Sequence, residues 1–326
     1  MARLLITLDS GGAIATLLFR RVGDTLLATP AIRSLKERFP NTQIFVLCEP
    51  QVMRVFEGLT YVDEVLNVGS SPSSLVLANA LRAIPNLGAT VDFLSDPRSA
   101  LSCAMGGAPI RVGFAKSLRR FLYTHRISVQ ASARPVYSAI HKLKLAEALG
   151  ASSSNWETDF AVTSENEMAA DTELRKRSLS SSGTIAFFVT SRREYKRWPL
   201  ERFAEVVESV RAYERKSIAI IGGENERATI DEFCSLAKLS ANNISIFTNI
   251  GDMAAFLRKC ELFIGNDGGP KHLAVAVSTP TVTIFQNDPW EYWTPPNSSQ
   301  HIAVGGKGQS PSSEDVMRAV SGLLSY

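Results

Sequence analysis

Short apolar runs alternate with amphipathic stretches along most of this chain, and this alternation restricts its possible folds more than any other feature. Strands are predicted at residues 15–20, 43–48, 91–94, 184–190, 217–221, 244–247, 262–265 and 281–285. Both faces of these strands are apolar, as in parallel sheets that are covered by helices. Helices are predicted between them, at residues 30–38, 138–149, 165–177, 200–213, 226–239, 252–259 and 270–277. Alternation on this scale predicts βαβ units and doubly wound α/β sheets.

The pattern is interrupted near the middle of the chain, where serine-rich stretches lie on both sides of a charged helix. We therefore predict two Rossmann-like domains, at residues 1–160 and 161–310, in a chain long enough for two separate cores. A Ser-Ser-Glu-Asp sequence caps a further helix within residues 311–326. If the two domains face each other, the carboxyl ends of both sheets meet at a central cleft, where open α/β sheets bind ligands.

Composition excludes several classes of protein. The net charge is only +3, from 35 basic and 32 acidic residues, so no nucleic-acid partner is expected. The cysteines are far apart in apolar stretches, which indicates core residues of a reducing compartment. The histidines form no ligand-like pair, and no metal site is expected. No apolar run approaches the ~20 residues of a membrane span, and Asp9 interrupts the N-terminal run too early for a signal peptide. A cytoplasmic location is therefore predicted.

The first predicted strand leads into a turn and then a helix, and one carboxylate lies between them. Gly23 permits a tight turn, and Thr29 followed by Pro30 is typical of a helix start. Asp24 then lies at the carboxyl end of the strand, where it is a candidate general base. The structural alternative is a turn aspartate that accepts hydrogen bonds from its own backbone.

Hydroxyl and cationic side chains follow the first strand of the second domain. The strand ends at Thr190, Ser191 follows it directly, and Lys196 precedes a proline that opens the next helix. Hydroxyl donors with a point charge suit a pyrophosphate. A solvated basic loop is the alternative.

A pair of glycines follows the next strand, at residues 222–223. They permit a tight strand-to-helix turn, and Glu224 and Glu226 follow them. Such a glutamate is a candidate acceptor for ribose hydroxyls. Equally, it is an acid of the first turn that complements the helix dipole.

Residues 263–274 contain the strongest motif: a buried strand, a glycine turn, and a helix that opens near Pro270. The N–H groups of a helix start bind phosphate, glycines allow close approach, and Lys271 and His272 add donors. The pattern predicts an anion site without naming the ligand. The sequence has no Asp-x-Asp pair, which argues against a metal-dependent sugar-nucleotide site, and it lacks the Rossmann dehydrogenase and P-loop fingerprints.

With these motifs the chain resembles glycosyltransferase family 9, the ADP-heptose:lipopolysaccharide heptosyltransferases. The resemblance runs from about residue 16 to residue 296, and its anchors are residues 22–36, 196–199, 222–226, 265–274 and 280–295. It implies a GT-B fold, with the acceptor mainly on the first domain, the nucleotide sugar on the second, and a terminal helix that crosses back to the first. It also implies an inverting, metal-independent transfer of heptose from ADP-L-glycero-D-manno-heptose to the lipopolysaccharide inner core. The reaction would occur at the cytoplasmic face of the inner membrane, with peripheral membrane contact.

The resemblance also implies roles for individual residues. Asp24 corresponds to the proposed base of the family, and no cofactor is implied. Glu226, rather than Glu224, corresponds to the ribose-binding acid. The donor-binding residues would be Thr190, Ser191, Lys196, Glu226, Asp267, Gly268, Gly269 and His272. Backbone amides, Lys196 and the helix start would neutralise the leaving group in place of a metal.

The chain departs from the family at one donor-site position, because the family usually has a threonine where Gly268 stands. A related transferase with another nucleotide sugar or glycan acceptor is therefore one alternative, and an inactive sugar-nucleotide-binding module is another. The basic stretch at residues 116–120 is by default a solvated loop. Our sharper hypothesis is that Arg119 or Arg120 contacts acidic groups of the acceptor.

Overall fold

A computed structural model of the chain shows two compact units, Met1–Ala161 and Val162–Tyr326. The division lies one residue from the boundary expected from the sequence. The structure describes residues 8–9, 11–19, 21–115, 117–128, 135–180, 183–212 and 216–324. Most of residues 1–12, for which the sequence suggested no role, therefore lie outside the described part.

The first unit is built on a parallel sheet of six strands in the order β3-β2-β1-β4-β5-β6. This is the order of the Rossmann fold, and it reverses between β1 and β4. In chain order its elements are β1 (Ala13–Leu17), α1 (Val22–Leu26), α2 (Thr29–Arg38), β2 (Gln43–Cys48), β3 (Glu64–Asn67), α3 (Ser74–Arg82), β4 (Leu87–Asp92), α4 (Pro97–Met105), β5 (Ile110–Phe114), β6 (His125–Ile127) and α5 (Ser138–Glu147). Short 3-10 turns cover Pro50–Val55 and Ser117–Leu122.

The second unit repeats this plan in the order β12-β11-β10-β7-β8-β9, which reverses between β7 and β10. In chain order its elements are α6 (Ser164–Arg177), β7 (Thr184–Phe188), α7 (Leu200–Arg211), β8 (Ser217–Gly222), α8 (Arg227–Leu236), β9 (Ile244–Ile246), α9 (Ile250–Arg258), β10 (Leu262–Asn266), α10 (Gly269–Ala276), β11 (Thr281–Phe285), α11 (Trp290–Trp293), β12 (His301–Gly305) and α12 (Ser313–Leu324). Short 3-10 turns cover Glu194–Lys196, Glu224–Glu226 and Ala241–Asn243.

The central strands are buried on both faces, as their mainly apolar sequences predict. Every residue of β1, β7, β10 and β11 is buried. The sequence missed β3, β6 and β12, and all three are edge strands with no fully buried residue. It also missed β5, whose apolar run is interrupted by Arg111 and Gly113. The prediction of doubly wound α/β sheets is confirmed.

The terminal helix α12 packs into the core of the second unit. The resemblance to the family had implied that it crosses back to the first unit. Val316 and Val320 are fully buried in the same cluster as Phe203, and the helix contacts α7, β11 and β12. The indole Nε1 of Trp198 donates to the Pro311 carbonyl at 3.0 Å, just before the helix begins. The apolar face of α12 is thus covered by its own unit. No helix within the described ranges is long and apolar enough to cross a membrane.

Candidate active site

Asp24 lies where the strand order of the first unit reverses. Strand β1 ends at Leu17, and Asp24 is in the first turn of the short helix α1 that follows. Its carboxylate lines a pocket of about 200 Å³. The other lining residues are Leu18, Phe19, Arg21, Thr25, Leu94 and Asp96, which follow either β1 or β4. The carboxylate therefore stands at the carboxyl ends of adjacent parallel strands, where α/β sheets bind ligands.

A buried cation, which sequence reasoning missed, accompanies Asp24. The Nζ of Lys142 lies 4.0 Å from Asp24 Oδ1, and the Lys142 side chain is only 8% exposed against 35% for Asp24. Burial lowers the pKa of the Lys142 ammonium, and the Asp24 charge partly offsets this effect. Lys142 lies on the buried face of α5 with Ala139 and Ala146. A lysine at an apolar position of an amphipathic helix was the available signal.

Asn266 joins the two strand ends that carry the donor-site residues of the second unit. It is the buried last residue of β10. Its Oδ1 accepts from the Trp198 amide at 3.0 Å, and its Nδ2 donates to the carbonyls of Val189 at 3.0 Å and Thr190 at 3.1 Å. Because β7 and β10 are adjacent, this side chain fixes the loop after β7 against the start of α10.

Asp267 is buried at that junction and faces three basic side chains. Its carboxylate lies 2.6 Å from Lys196 Nζ, 3.4 Å from Lys271 Nζ and 3.9 Å from His272 Nε2. Burial raises the pKa of Asp267, but the charges of Lys271, His272 and Lys196 outweigh burial and hold it below its ordinary value. Three of the predicted donor-site residues, Lys196, Asp267 and His272, are thus brought together.

Lys196 is shared between two carboxylates, and the second of them was not predicted. Asp288, in the loop after β11, lies 2.5 Å from Lys196 Nζ. Burial opposes protonation of this lysine, but Asp267 and Asp288 together raise its pKa. The ammonium also lies 5.5 Å from the ring centroid of Trp293. Any anion that binds Lys196 must therefore compete with Asp288.

Lys271 is a second buried lysine in this cluster, and its environment differs from that of Lys196. It is 1% exposed, and its ammonium donates to the Trp293 carbonyl. Burial lowers its pKa from 10.5 to about 8, although Asp267 opposes that change. The His272 ring meets the indole of Trp293 edge to face, at 6.0 Å between centroids.

Glu226, rather than Glu224, is directed towards the other predicted donor-binding residues. Its Oε2 accepts from the Gly223 amide at 2.9 Å, and its Oε1 accepts from the Thr190 hydroxyl. Glu224 is exposed in the same 3-10 turn. Thr190 is therefore bonded to the glutamate, while Ser191 lies next to it and is also buried.

Gly268 and Gly269 form the start of α10, with Pro270 in its first turn. The φ and ψ angles of Gly268 are −171° and −176°, an extended conformation open to any residue. A Cβ at this position would lie 3.1 Å from the Phe188 ring. The ring edge thus borders the place where a threonine side chain would project.

The predicted acceptor residues, Arg119 and Arg120, lie in the 3-10 turn after β5. Arg120 is exposed, and its guanidinium lies 4.9 Å from the centroid of the Phe121 ring. Arg119 is half-buried. Neither lines the pocket at Asp24. Within the described ranges, no group of three or more His, Cys, Asp or Glu side chains could hold a metal ion.

The chain has two sheets with the strand order of the Rossmann fold, and each sheet carries polar groups where its strand order reverses. GT-B glycosyltransferases share this architecture. Residues 91–320 match the model of glycosyltransferase family 9 (heptosyltransferase). The chain therefore belongs to glycosyltransferase family 9 and is a glycosyltransferase.

Similar proteins agree with this assignment. Lipopolysaccharide heptosyltransferase 3 of Escherichia coli K12 is 24% identical over an alignment of 306 positions that covers 84% of this chain and 82% of that protein. A family 9 glycosyltransferase structure from Veillonella parvula has a TM-score of 0.85 at 21% identity and covers 97% of this chain and 98% of that one. The E. coli ADP-heptose lipopolysaccharide heptosyltransferase II has a TM-score of 0.77 at 18% identity and covers 96% and 98%. The GT-B fold class is confirmed.

Proposed function

We propose that this enzyme transfers a heptose from ADP-L-glycero-D-manno-heptose to the inner core of lipopolysaccharide. The observation that carries the proposal is the Lys196–Asp267–His272 cluster at the start of α10, in a chain of the heptosyltransferase family. The names of the similar E. coli proteins, which specify lipopolysaccharide and ADP-heptose, support this choice of substrates.

The second unit would bind the nucleotide sugar. The amides of the first turn of α10 would donate to an anion, and the partial positive charge of the helix start favours a diphosphate there. Lys196 would exchange Asp288 for a phosphate oxygen, while Glu226 would accept from the ribose hydroxyls. Together these groups would stabilise the negative charge that develops on the ADP leaving group. In metal-dependent transferases a bound metal ion stabilises this charge.

The first unit would bind the acceptor and supply the base. As the acceptor oxygen attacks the anomeric carbon, its proton passes to Asp24, and the bond from that carbon to the diphosphate oxygen breaks. A single displacement of this kind inverts the anomeric configuration. The products are the extended glycan and ADP. We further propose that Arg119 or Arg120 contacts acidic groups of the acceptor and that the enzyme works at the cytoplasmic face of the inner membrane.

The donor assignment is tested by thermal unfolding in the presence of ADP, UDP, GDP or CMP. A ligand that binds only the folded protein raises its Tm, and we expect a selective rise with ADP. A larger rise with UDP or GDP would favour the second candidate, a related transferase with another nucleotide sugar. The observation behind that candidate is Gly268, which has no hydroxyl to offer the donor.

The catalytic assignment is tested by comparing the wild type with Asp24→Asn in a transfer assay. Loss of a general base costs about 10² to 10⁴ in rate, and we expect kcat to fall within that range while ADP binding persists. If the wild type transfers no sugar from any donor and the substitution changes nothing, the chain is a binding module instead.

A further inference from the structure

Lys142 buries a positive charge beside the Asp24 pocket. The structure gives its ammonium one hydrogen bond, to the Ser138 hydroxyl at 2.9 Å, and one carboxylate, Asp24, at 4.0 Å. A buried charge is costly unless it is paired and hydrogen-bonded. Asp24 therefore compensates, at least in part, for the burial of Lys142.

The other charged groups around Lys142 have partners of their own. Helix α5 packs against α2 and β5. The charged residues of α2 form the ion pairs Arg33–Asp159, Arg33–Glu37, Lys36–Asp63 and Arg38–Asp9. On β5, the guanidinium of Arg111 donates to the Leu122 carbonyl. On α5 itself, the His141 ring stacks on Phe114 at 4.3 Å. Arg21 and Asp96 line the pocket near Asp24, but the charge that acts on Lys142 is that of Asp24.

We propose that Lys142 is a positioning residue for Asp24: its ammonium, anchored by Ser138, keeps the carboxylate directed into the pocket. This inference rests on the proposed role of Asp24 as the base. A base must be directed at the acceptor hydroxyl, and a buried, anchored ammonium restricts the positions that the carboxylate can take. Lys142 is almost fully buried, so it acts through Asp24 and contacts neither substrate.

The electrostatic pairing is tested without any substrate, from the side of the lysine. Side-chain NMR of lysine labelled with ¹³C and ¹⁵N gives the titration midpoint of Lys142, assigned by the loss of its signal in Lys142→Met. In Asp24→Asn we expect this midpoint to fall by about one pH unit, because an opposite charge at this distance shifts a titration by about 1–3 pH units and Asp24 is partly exposed. Asp96→Asn is the matched control, since it neutralises another carboxylate of the same pocket and asparagine is an equally good helix cap. An unchanged midpoint in Asp24→Asn, or an equal change in both variants, overturns the proposal.

The positioning role is tested by steady-state kinetics of Lys142→Met. We expect kcat to fall about tenfold, with KM for donor and acceptor unchanged and with partial recovery in Lys142→Arg, which keeps the charge. Lys144→Met removes a lysine from the same helix outside the pair and should match the wild type. If kcat is unchanged in Lys142→Met, or if Tm, kcat and both KM values deteriorate together, Lys142 has no positioning role. If the wild type transfers no sugar at all, the proposed function fails, and the NMR titration then identifies the pair as a structural contact only.

Discussion

In our proposal, Lys196 is the residue whose contacts change most when the donor binds. Its ammonium is held by Asp267 and Asp288, both within 2.6 Å. Asp267 is buried, whereas Asp288 comes from a loop and is more exposed. Asp288 is therefore the partner that a phosphate would replace.

Replacing Asp288 by asparagine should strengthen ADP binding, because the phosphate no longer competes with a carboxylate for Lys196. A partly exposed ion pair contributes up to about 1 kcal/mol, so we expect Kd to fall by up to about fivefold in calorimetric titrations. Asp231→Asn, which removes a carboxylate from the surface pair with Arg227, is the control and should leave Kd unchanged. Weaker ADP binding by Asp288→Asn would show that this carboxylate contributes directly to the donor site.

Because of Lys271, the free energy of unfolding of the protein should depend on pH in the alkaline range. Its pKa in the folded protein is about 8, below the ordinary value of 10.5, so the unfolded chain binds more protons between these two values. The free energy of unfolding therefore rises with pH across this window, and the cost of the buried charge is fully present below pH 8. The whole difference corresponds to roughly 3 kcal/mol.

The measurement is the Tm of the wild type and of Lys271→Met from pH 7 to pH 10.5. We expect the wild type to gain stability relative to the variant as the pH rises. Lys176→Met, at an exposed site on α6, should show no such trend. A constant difference between wild type and Lys271→Met across the range would contradict the assignment.

At the scale of elements, the pairing of strands β7 and β10 requires a close approach of their backbones at Gly265. A Cβ at Gly265 would lie 2.6 Å from the Phe188 carbonyl oxygen, and backbone cannot move aside as a flexible side chain can. Gly265 belongs to the same strand as Asn266, so this contact sets the spacing of the two strand ends that carry the proposed donor site.

Gly265→Ala should therefore destabilise the protein by about 1–3 kcal/mol, the usual cost of overpacking. Urea unfolding monitored by circular dichroism measures this change. Gly322→Ala is the control: it lies in α12 with no atom near a Cβ, so alanine should stabilise that helix slightly. Equal stability of the two variants would show that β7 and β10 can separate without cost.

At the scale of the whole molecule, the proposed donor residues belong to one unit and the proposed base to the other. ADP alone should therefore slow amide hydrogen exchange mainly in the second unit, in peptides that cover residues 190–196, 222–226 and 266–272. Exchange measured by mass spectrometry with and without ADP tests this distribution. Stronger protection around Asp24 than at these peptides would contradict the assignment of donor and acceptor sites.

The sequence predicted the architecture well because interior strands have a strong local signal. β2 and β11 are mainly apolar, and their predicted bounds match the structure. Edge strands such as β12 are only partly buried and leave no such pattern. Lys142 and Asp288 could not be found in this way, because each is defined by a partner distant in the chain, Asp24 or Lys196.

The position of the Phe188 ring beside Gly268 restricts which side chains position 268 can carry. A Cβ at position 268 would lie 3.1 Å from the Phe188 ring, so the ring must move by a few tenths of an ångström to admit a side chain there. Substitutions of residues in contact are not additive. Positions 268 and 188 should therefore be varied together when a hydroxyl is introduced at this site.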